Sequence, residues 1–588
     1  MDPKEAESTN QPSGNLNPLR IWPAMLFLLA MVLLRLSPSL IEEGPDMLPM
    51  VAAMGPIICS LLILIWWLTA SRASGRERLM GFVGIIVFSG VTFALSDKSM
   101  QSPATMLVWT IPMGFAAFAI GAFVVRRWPT AKRTCAAIGI AALGLMFSIL
   151  LRSNGMWGHA QIDLHWRWTP TAEEELLAKR AANPESNGLE IEVNEMTLAL
   201  ANPEWPGFRG PNRNSRQTGT TFASDWASDS PELLWKISVG PAWSSFAVAG
   251  NLLFTQEQRG VHECVICYDT ETGREIWVEQ IEARFSDPLG GPGPRATPQL
   301  ANGSLFVLGA DGDLLRLNPV NGNIIWQANI GEAAGRKPPE WGYSSSPLVV
   351  NNVVVVHAGG EGNKGTLAFD TETGALKWSA PAGDHSYSSP QSETLAEEEL
   401  VIMMTNAGMR LLNPINGEVR LNYDWPHRGY RALQPQVVKD NHLLLATESG
   451  TGSRLIKITK ANESLEAEDI WSTRNLKADF NDFVVFDGNL YGFDGGLFAC
   501  VDLDTGDRQW KGGRYGKGQV LLLEDSGLLF ISSERGQGVL VKATPEEHIE
   551  LATTPLLKGK TWNHPVVVGD RLFIRNAEEA ACYRLPVK

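Results

Sequence analysis

One eleven-residue phrase recurs along the chain: Asp or Asn, a short polar turn, Gly, three residues, then Trp. It reads CYDTETGREIW at 267–277, RLNPVNGNIIW at 316–326, AFDTETGALKW at 368–378 and CVDLDTGDRQW at 500–510. Its glycines, Gly273, Gly322, Gly374, Gly417 and Gly506, are spaced by 49, 52, 43 and 89 residues. The last interval is close to two periods, and a degenerate copy ending at Trp471 fills it. A period in the forties built from short strands is the signature of a β-propeller, one four-stranded blade per repeat. The phrase suits a hairpin: the leading Asp or Asn accepts from backbone amides ahead of it, and Gly supplies a left-handed turn residue. Trp277, Trp326, Trp378 and Trp510 then fall on the next strand, where an indole buries a large apolar area against a neighbouring blade. At 421 the Trp is replaced by Leu.

A second pattern marks the inner strands: WSSFAVAGNLLF (243–254), RATPQLANGSLFVL (295–308), SSSPLVVNNVVVV (344–356), YSSPQSETLAEEELVIM (387–403) and ALQPQVVKDNHLLL (432–445). FNDFVVFDGNLYGF (480–493), QVLLLEDSGLLFI (519–531) and WNHPVVVGDRLFI (562–574) follow. These predict eight blades, with seven as the alternative count. The last copy runs out at CYRLPVK, short of a fourth strand, while ELLWKISV (232–239) precedes the first copy as a spare one. The spare strand is expected to complete the last blade and remove an open sheet edge.

The first part of the chain is different. Runs 47–70, 79–96, 104–125 and 134–151 are uncharged and long enough for a bilayer core of about 30 Å. A fifth, 21–41, is interrupted by Arg35, which can snorkel to an interface. About five membrane helices are therefore expected. Arg72, Arg76 and Arg78 follow the second run, and Arg126, Arg127, Lys132 and Arg133 follow the fourth. The other connections hold Lys98 and the acidic Glu42, Glu43 and Asp46. Basic loops stay inside, so the N-terminus reads as cytoplasmic and the region after 152 as exported. The expected layout is a cytoplasmic tail (1–20), a five-helix membrane domain (21–152), a juxtamembrane helix and linker (153–204) and the propeller (205–588). Thr171 with Glu174 forms a capping box ahead of LLAKRAA, which predicts the short helix.

The formal net charge is −14 although the membrane part is locally basic. The exported part is therefore acidic, which argues against nucleic acid as a partner. Six cysteines are scattered, at 59, 135, 264, 267, 500 and 582. Cys264 and Cys267 spell CxxC, but Tyr268 follows, so the c-type haem pattern is absent. Residues three apart on a strand face opposite sides, and Cys267, Cys500 and Cys582 share the repeat position of Ala368. Packing accounts for them.

Three positions before the Pro of each inner strand, or its equivalent, stand Trp243, Arg295, Ser344, Tyr387, Ala432, Phe480, Gln519 and Trp562, with Tyr343, Asn481, Asp482 and His564 beside them. This ring predicts an aromatic, partly polar cup at the axis. A one-residue slip in strand parity would turn these side chains to the other face. Stacking, with Arg295 meeting an anionic group and Asp482 or His564 giving directed polarity, is the expected recognition chemistry. The membrane runs hold almost no ionisable residue besides Arg35, so an anchor is expected rather than a transport path.

The repeated phrase resembles the tryptophan-docking repeat of the PQQ-binding-like β-propeller family, which holds both quinoprotein dehydrogenases and BamB-like assembly factors. WPGFRGPNRNS (205–215), GPGPRATP (291–298), WGYSSSP (341–347), LYGFDGG (490–496) and TWNHPVV (561–567) are similar to motifs of the BamB-like branch. The resemblance implies two functional classes. One is a membrane-anchored, periplasmic binding or assembly module of the bacterial inner membrane, serving an envelope protein, peptide or glycan. The alternative is a PQQ-dependent alcohol or sugar dehydrogenase feeding the membrane quinone pool. The second needs PQQ, Ca²⁺ held by oxygen donors, and an Asp base. This chain has no Cys-Cys pair, short blades, and no Glu/Asn/Asp cation set that matches, so no metal ligand, cofactor or catalytic residue is assigned.

Overall fold

The structure is a computed structural model that describes residues 18–41, 48–158, 160–182, 199–447 and 451–588. The acidic connection of Glu42, Glu43 and Asp46, most of the N-terminal tail and much of the linker lie outside these residues. The chain divides into two units, 1–169 and 170–588.

In the first unit helices form where the apolar runs predict them: Trp22–Leu40, Leu48–Thr69 and Gly75–Leu95, a Pro103–Val124 helix with a π-helical turn at Met106–Thr110, and Thr130–Met146 continued by a 3₁₀ turn. Among the described residues, four are long and apolar enough to cross a membrane; the first has the shorter apolar length Trp22–Pro38. Arg35 does not stand free in it, since its guanidinium lies 5.6 Å from the Trp109 ring centroid. The basic connections meet at one end of the helices, where Leu19 N donates to Arg126 O and Arg20 N to Ser71 O. There the buried Arg133 grips Glu77 (2.7 Å), which also caps its own helix with Ser74. A β-hairpin, Leu151–Met156 with Ile162–Trp166, follows the last helix directly.

The second unit is an eight-bladed propeller. Blades 1 to 6 begin at the inner strands Ala247–Ala249, Gln299–Ala301, Leu348–Val350, Gln391–Leu395, Gln436–Lys439 and Phe483–Phe486, each followed by three antiparallel strands. Blade 7 begins at Gln519–Leu523 and gains a fifth strand, Arg216–Gln217, paired parallel on its inner edge. Blade 8 is built from Val566–Val568, Arg571–Arg575 and Glu579–Arg584, and the spare strand Glu232–Ser238 completes it, Cys582 facing Trp235.

The phrase works as blade glue. Asp370 Oδ1 accepts from the amides of Glu372 (3.0 Å) and Thr373 (2.8 Å), shaping the turn. Gly374 has φ +72°, and a Cβ there would stand 2.7 Å from the Trp326 ring of the preceding blade. Four further tryptophans are laid on the next blade's glycine in the same way, Trp235 on Gly273, Trp277 on Gly322, Trp378 on Gly417 and Trp471 on Gly506, whereas Trp510 meets His548 (5.3 Å). The indole N–H donates to a carbonyl of that same turn, as Trp326 Nε1 does to Thr371 O (2.9 Å). Cys267, Ala368, Cys500 and Cys582 face Trp277, Trp378, Trp510 and Trp235 across the ladder, which explains their shared position. Cys264 and Cys267 join different core clusters, as opposite faces of one strand require.

At the blade 4–5 seam both halves of the device are lost together. Leu421 replaces Trp, and blade 5 replaces the glycine turn by a tight hairpin between Gly452–Ala461 and Ser464–Thr473. Arg420 and Lys460 instead share Glu398.

The predicted capping box forms in both directions, Glu174 N to Thr171 Oγ1 (3.0 Å) and Thr171 N to Glu174 Oε2 (2.6 Å). Its helix, Ala172–Ala182, lies on blade 1, where Glu173 holds Arg284 and Arg180 holds Glu275.

Candidate functional site

Two layers of side chains surround the axis. The deeper layer is a polar belt two residues below the predicted ring: Ser245, Thr297, Ser346, Ser389, Gln434, Asp482, Gln519 and His564. Its members bond backbone across the seams. Ser245 N donates to Thr297 Oγ1 (3.0 Å), Thr297 N to Ser346 Oγ (2.9 Å), Ser346 N to Ser389 Oγ (2.9 Å) and Asp482 N to Gln519 Oε1 (3.1 Å). A belt of this kind satisfies the buried amides where eight strand entries converge.

The WPGFRGPNRNS segment lies across this belt, on the side of the inner strands. Trp205 bridges to Val248, Asn212 O accepts from Gln391, and Leu522 N donates to Ser215 O. Arg209, fully buried, pairs with Asp482 (3.0 Å) and donates to Phe483 O (2.8 Å) and Ser215 Oγ (2.9 Å). Arg213 donates to Ser346 O (3.2 Å), Pro347 O (3.1 Å) and Gln299 Oε1 (2.9 Å). Burial pushes the Asp482 carboxyl up and the Arg209 guanidinium down, and their attraction offsets part of both effects. Burial and the nearby Arg209 hold His564 well below its usual range, so it is neutral; its Nε2 lies 3.5 Å from Asp482 Oδ2. Burial, with Arg209 nearby, brings Arg213 down to about 9. This end of the axis is therefore plugged, and Asp482 and His564 serve the plug rather than an open cup.

The upper layer holds the predicted ring, on the entry segments ahead of the inner strands rather than on the strands themselves. Trp243 and Trp562 pack at 4.7 Å, and Phe480 meets Trp562 edge-on at 5.1 Å. Lys560 Nζ sits over both indoles, 4.6 Å from the Trp562 centroid and 5.3 Å from that of Trp243. Trp562 Nε1 donates to Glu534 (2.9 Å) and Trp243 Nε1 to Gly290 O (2.9 Å). Lys517 Nζ lies 5.7 Å from the Phe480 ring and pairs with Asp479, to which Tyr430 also donates. Tyr430 in turn meets Trp341 (4.4 Å), which packs on Tyr387 (5.1 Å). Arg295 pairs with Asp287 and lies over Phe285 (4.7 Å). Burial lowers Arg295 while Asp287 opposes, and burial pushes Tyr387 up to about 12.

The structure thus joins Trp243, Phe480 and Trp562 in one cluster, places Tyr387 in a second, and sets Arg295 between ion pair and ring. Tyr343 and Asn481 are buried, Tyr343 within the core shared by blades 2 and 3. Gln519 belongs to the belt, where Lys517 is its counterpart in the ring: blade 7 has no Pro before its inner strand, and the alignment slips there by two residues. Lys517, Lys560, Trp341, Tyr430, Asp479 and Glu534 are additional members. Lys517 carries a sequence signal, the offset from Gln519; Lys560 and Glu534 carry none.

A site for PQQ with Ca²⁺ requires hard oxygen donors, typically six to eight around calcium. Here the belt carboxylate is already neutralised by Arg209, with Arg213 adding a second buried guanidinium; the belt hydroxyls and amides bond backbone across the seams, and Gln434 Oε1, the belt acceptor left without a partner among the described residues, is a single neutral oxygen. These residues do not fit a divalent cation. Among the described residues no group of three or more His, Cys, Asp or Glu could hold a metal ion. A surface cavity of about 580 Å³ opens on the face of the phrase turns, lined by Arg216, Lys439, Phe486, Asp504 and Glu524 among others.

A family model described as outer membrane protein assembly factor BamB matches residues 224–340 and 336–512. No curated protein matches the chain. Among solved structures, BamB from Moraxella catarrhalis is 13% identical, with a TM-score of 0.44 over 60% of this chain and 100% of that one. The quinohemoprotein alcohol dehydrogenase of Comamonas testosteroni is 12% identical, with a TM-score of 0.48 over 70% and 84%.

Proposed function

Because its propeller belongs to the PQQ-like β-propeller repeat family, we propose that this chain is a membrane-anchored binding and assembly module. It captures an envelope protein, peptide or glycan at the aromatic ring around the propeller axis. The observation that carries this reading is the plug. With Arg209 and Arg213 filling one end of the axis, the ring at the other end is the remaining axial docking surface, and the buried carboxylate is committed to structure.

The apolar helices supply the anchor, and the basic connections gathered at one end support a cytoplasmic N-terminus. The propeller then stands in the periplasm of a bacterial inner membrane. The alternative, a PQQ-dependent alcohol or sugar dehydrogenase, meets an axis whose donors do not suit Ca²⁺. Mixing the purified protein with PQQ and Ca²⁺ and looking for a quinone spectrum and dye-linked oxidation tests that alternative; a positive result would favour it.

The ring faces give the binding reading a specific form. Trp243 and Trp562 pack against each other with planes tilted by 36° and are covered by Lys560, so a partner engages the lysine ammonium and the indole edges together. Replacing both Trp243 and Trp562 by Ala should abolish partner capture from envelope extracts, with the blades' hydrogen-exchange protection intact. An unchanged capture profile refutes the proposal.

A further inference from the structure

The hairpin that follows the last apolar helix carries Trp166 and Trp168, stacked with ring centroids 5.1 Å apart and planes within 9°. Among the described residues they stay open to solvent, 44% and 66% exposed. An exposed indole pair is costly in water, and stacking satisfies only one face of each ring. The hairpin's other side is not exposed. Ile162 is buried and clusters with Ala53 and Val108 of two helices, with Leu164 packed against them.

The hairpin is also tied to the helix ends at several points. Ser153 N donates to Ser99 Oγ (2.9 Å), Arg167 N to Leu150 O (2.8 Å) and Arg167 Nη1 to Leu95 O (3.1 Å). Phe147, in the last turn of the final helix, meets Trp166 edge-on at 6.0 Å. A two-stranded hairpin is marginal alone, so these ties hold the indole pair at a fixed height, level with the ends of Gly75–Leu95 and the last helix. Two other exposed tryptophans, Trp22 and Trp128, stand at the opposite, arginine-rich end. Indoles at both ends of an apolar helix bundle match the aromatic belts that sit at lipid headgroup level.

We propose that Trp166 and Trp168 form a docking surface for the lipid headgroup layer, with the hairpin lying in the membrane interface opposite the basic end. This rests on the anchoring reading above, and the occupant follows from continuity: exposed Leu143, Met146 and Leu150 at the end of the last helix lead to the pair, and Phe147 there touches Trp166. An amphipathic ring with an N–H at one edge suits a layer that is apolar below and wet above.

The test is spin-label depth in the full chain reconstituted in liposomes. Cys135, exposed where the other five cysteines are buried, is first changed to Ser. Nitroxides are then placed singly at W168C, at V87C on an exposed face of the third helix, and at E361C on a propeller loop. Collisions with oxygen and with a water-soluble nickel chelate report depth. The expected order puts position 168 between the lipid-immersed position 87 and the aqueous position 361. If 168 behaves like 361 while 87 is immersed, the hairpin proposal is overturned and the anchor stands. If 168 is shielded from both reagents, protein rather than lipid covers the pair, and the proposal also falls. If 87 is aqueous too, anchor and hairpin fail together. Should W168C not fold, the W166F/W168F chain gives a second readout: it should lose part of the tryptophan quenching by lipids brominated near the headgroup. Unchanged quenching overturns the proposal.

Discussion

Arg209→Met isolates the plug. Arg209 is fully buried, 3.0 Å from Asp482, and bonds two further oxygens. Met keeps much of the volume and removes the charge. Breaking a buried pair from one side costs about 3–5 kcal/mol, because the remaining charge stays uncompensated. At 1.36 kcal/mol per factor of ten, opening near Phe483 should become about two to nearly four orders of magnitude easier. Hydrogen exchange by mass spectrometry, read on peptides covering 205–217 and 480–486 of the whole chain in detergent, measures this directly. The deficit also has a pH signature. Burial already raises Asp482, and losing Arg209 raises it further. A carboxyl with a raised folded pKa contributes stability that is present below its unfolded value, about 3.9, and lost as pH rises through the folded value. The variant should therefore approach the parent near pH 4 and fall away toward pH 7. Adding Asp482→Asn should recover most of the loss. A deficit below about 1 kcal/mol, a flat pH profile, or no rescue by the second change refutes the argument.

Trp326→Ala removes an indole laid on Gly374 and should cost about 3–5 kcal/mol, read as early exchange at the blade 2–3 seam; Leu421→Ala, which has no facing glycine, should cost less. Glu263, buried beside the Ala310 amide and pushed up to about 7 by burial, makes the blade 1–2 seam weaker as pH rises from about 4.5 through 7. The span corresponds to roughly 3 kcal/mol, and Glu263→Gln should flatten the exchange profile across that range; a profile with the same slope would be the contrary result.

The architecture was readable because its glue is local. Gly374 and the three residues that separate it from Trp378 write a turn and its anchor in one phrase, and its recurrence beside eight inner-strand copies leaves few other folds. Even the strand borrowed by blade 8 was visible, since CYRLPVK leaves no room for a fourth strand and ELLWKISV stands spare ahead of the first inner one. The ring was half readable. Trp243, Phe480 and Trp562 come together because their offset from the inner strand is fixed. Blade 7 has neither the Pro of blades 2 to 5 and 8 nor the Phe that stands in for it in blades 1 and 6 (Phe246, Phe483), so its register slipped and hid Lys517. The plug was not readable at all: WPGFRGPNRNS occurs once, so no periodicity shows that Arg209 would reach Asp482 across more than half of the propeller's sequence. Asp482 therefore looked like a free ligand-binding carboxylate when it is an internal counterion.

Closing the last blade with Glu232–Ser238 has a consequence for biogenesis. That segment is among the earliest of the propeller to emerge, and its partner Glu579–Arg584 is the final one. Until Glu579–Arg584 is made, Glu232–Ser238 waits with bare amides while seven complete blades accumulate behind it. Chaperoning, or protection by whatever lies nearby, is needed most during that interval, and a truncation that removes Glu579–Arg584 would leave the whole assembly unlatched rather than merely shortened.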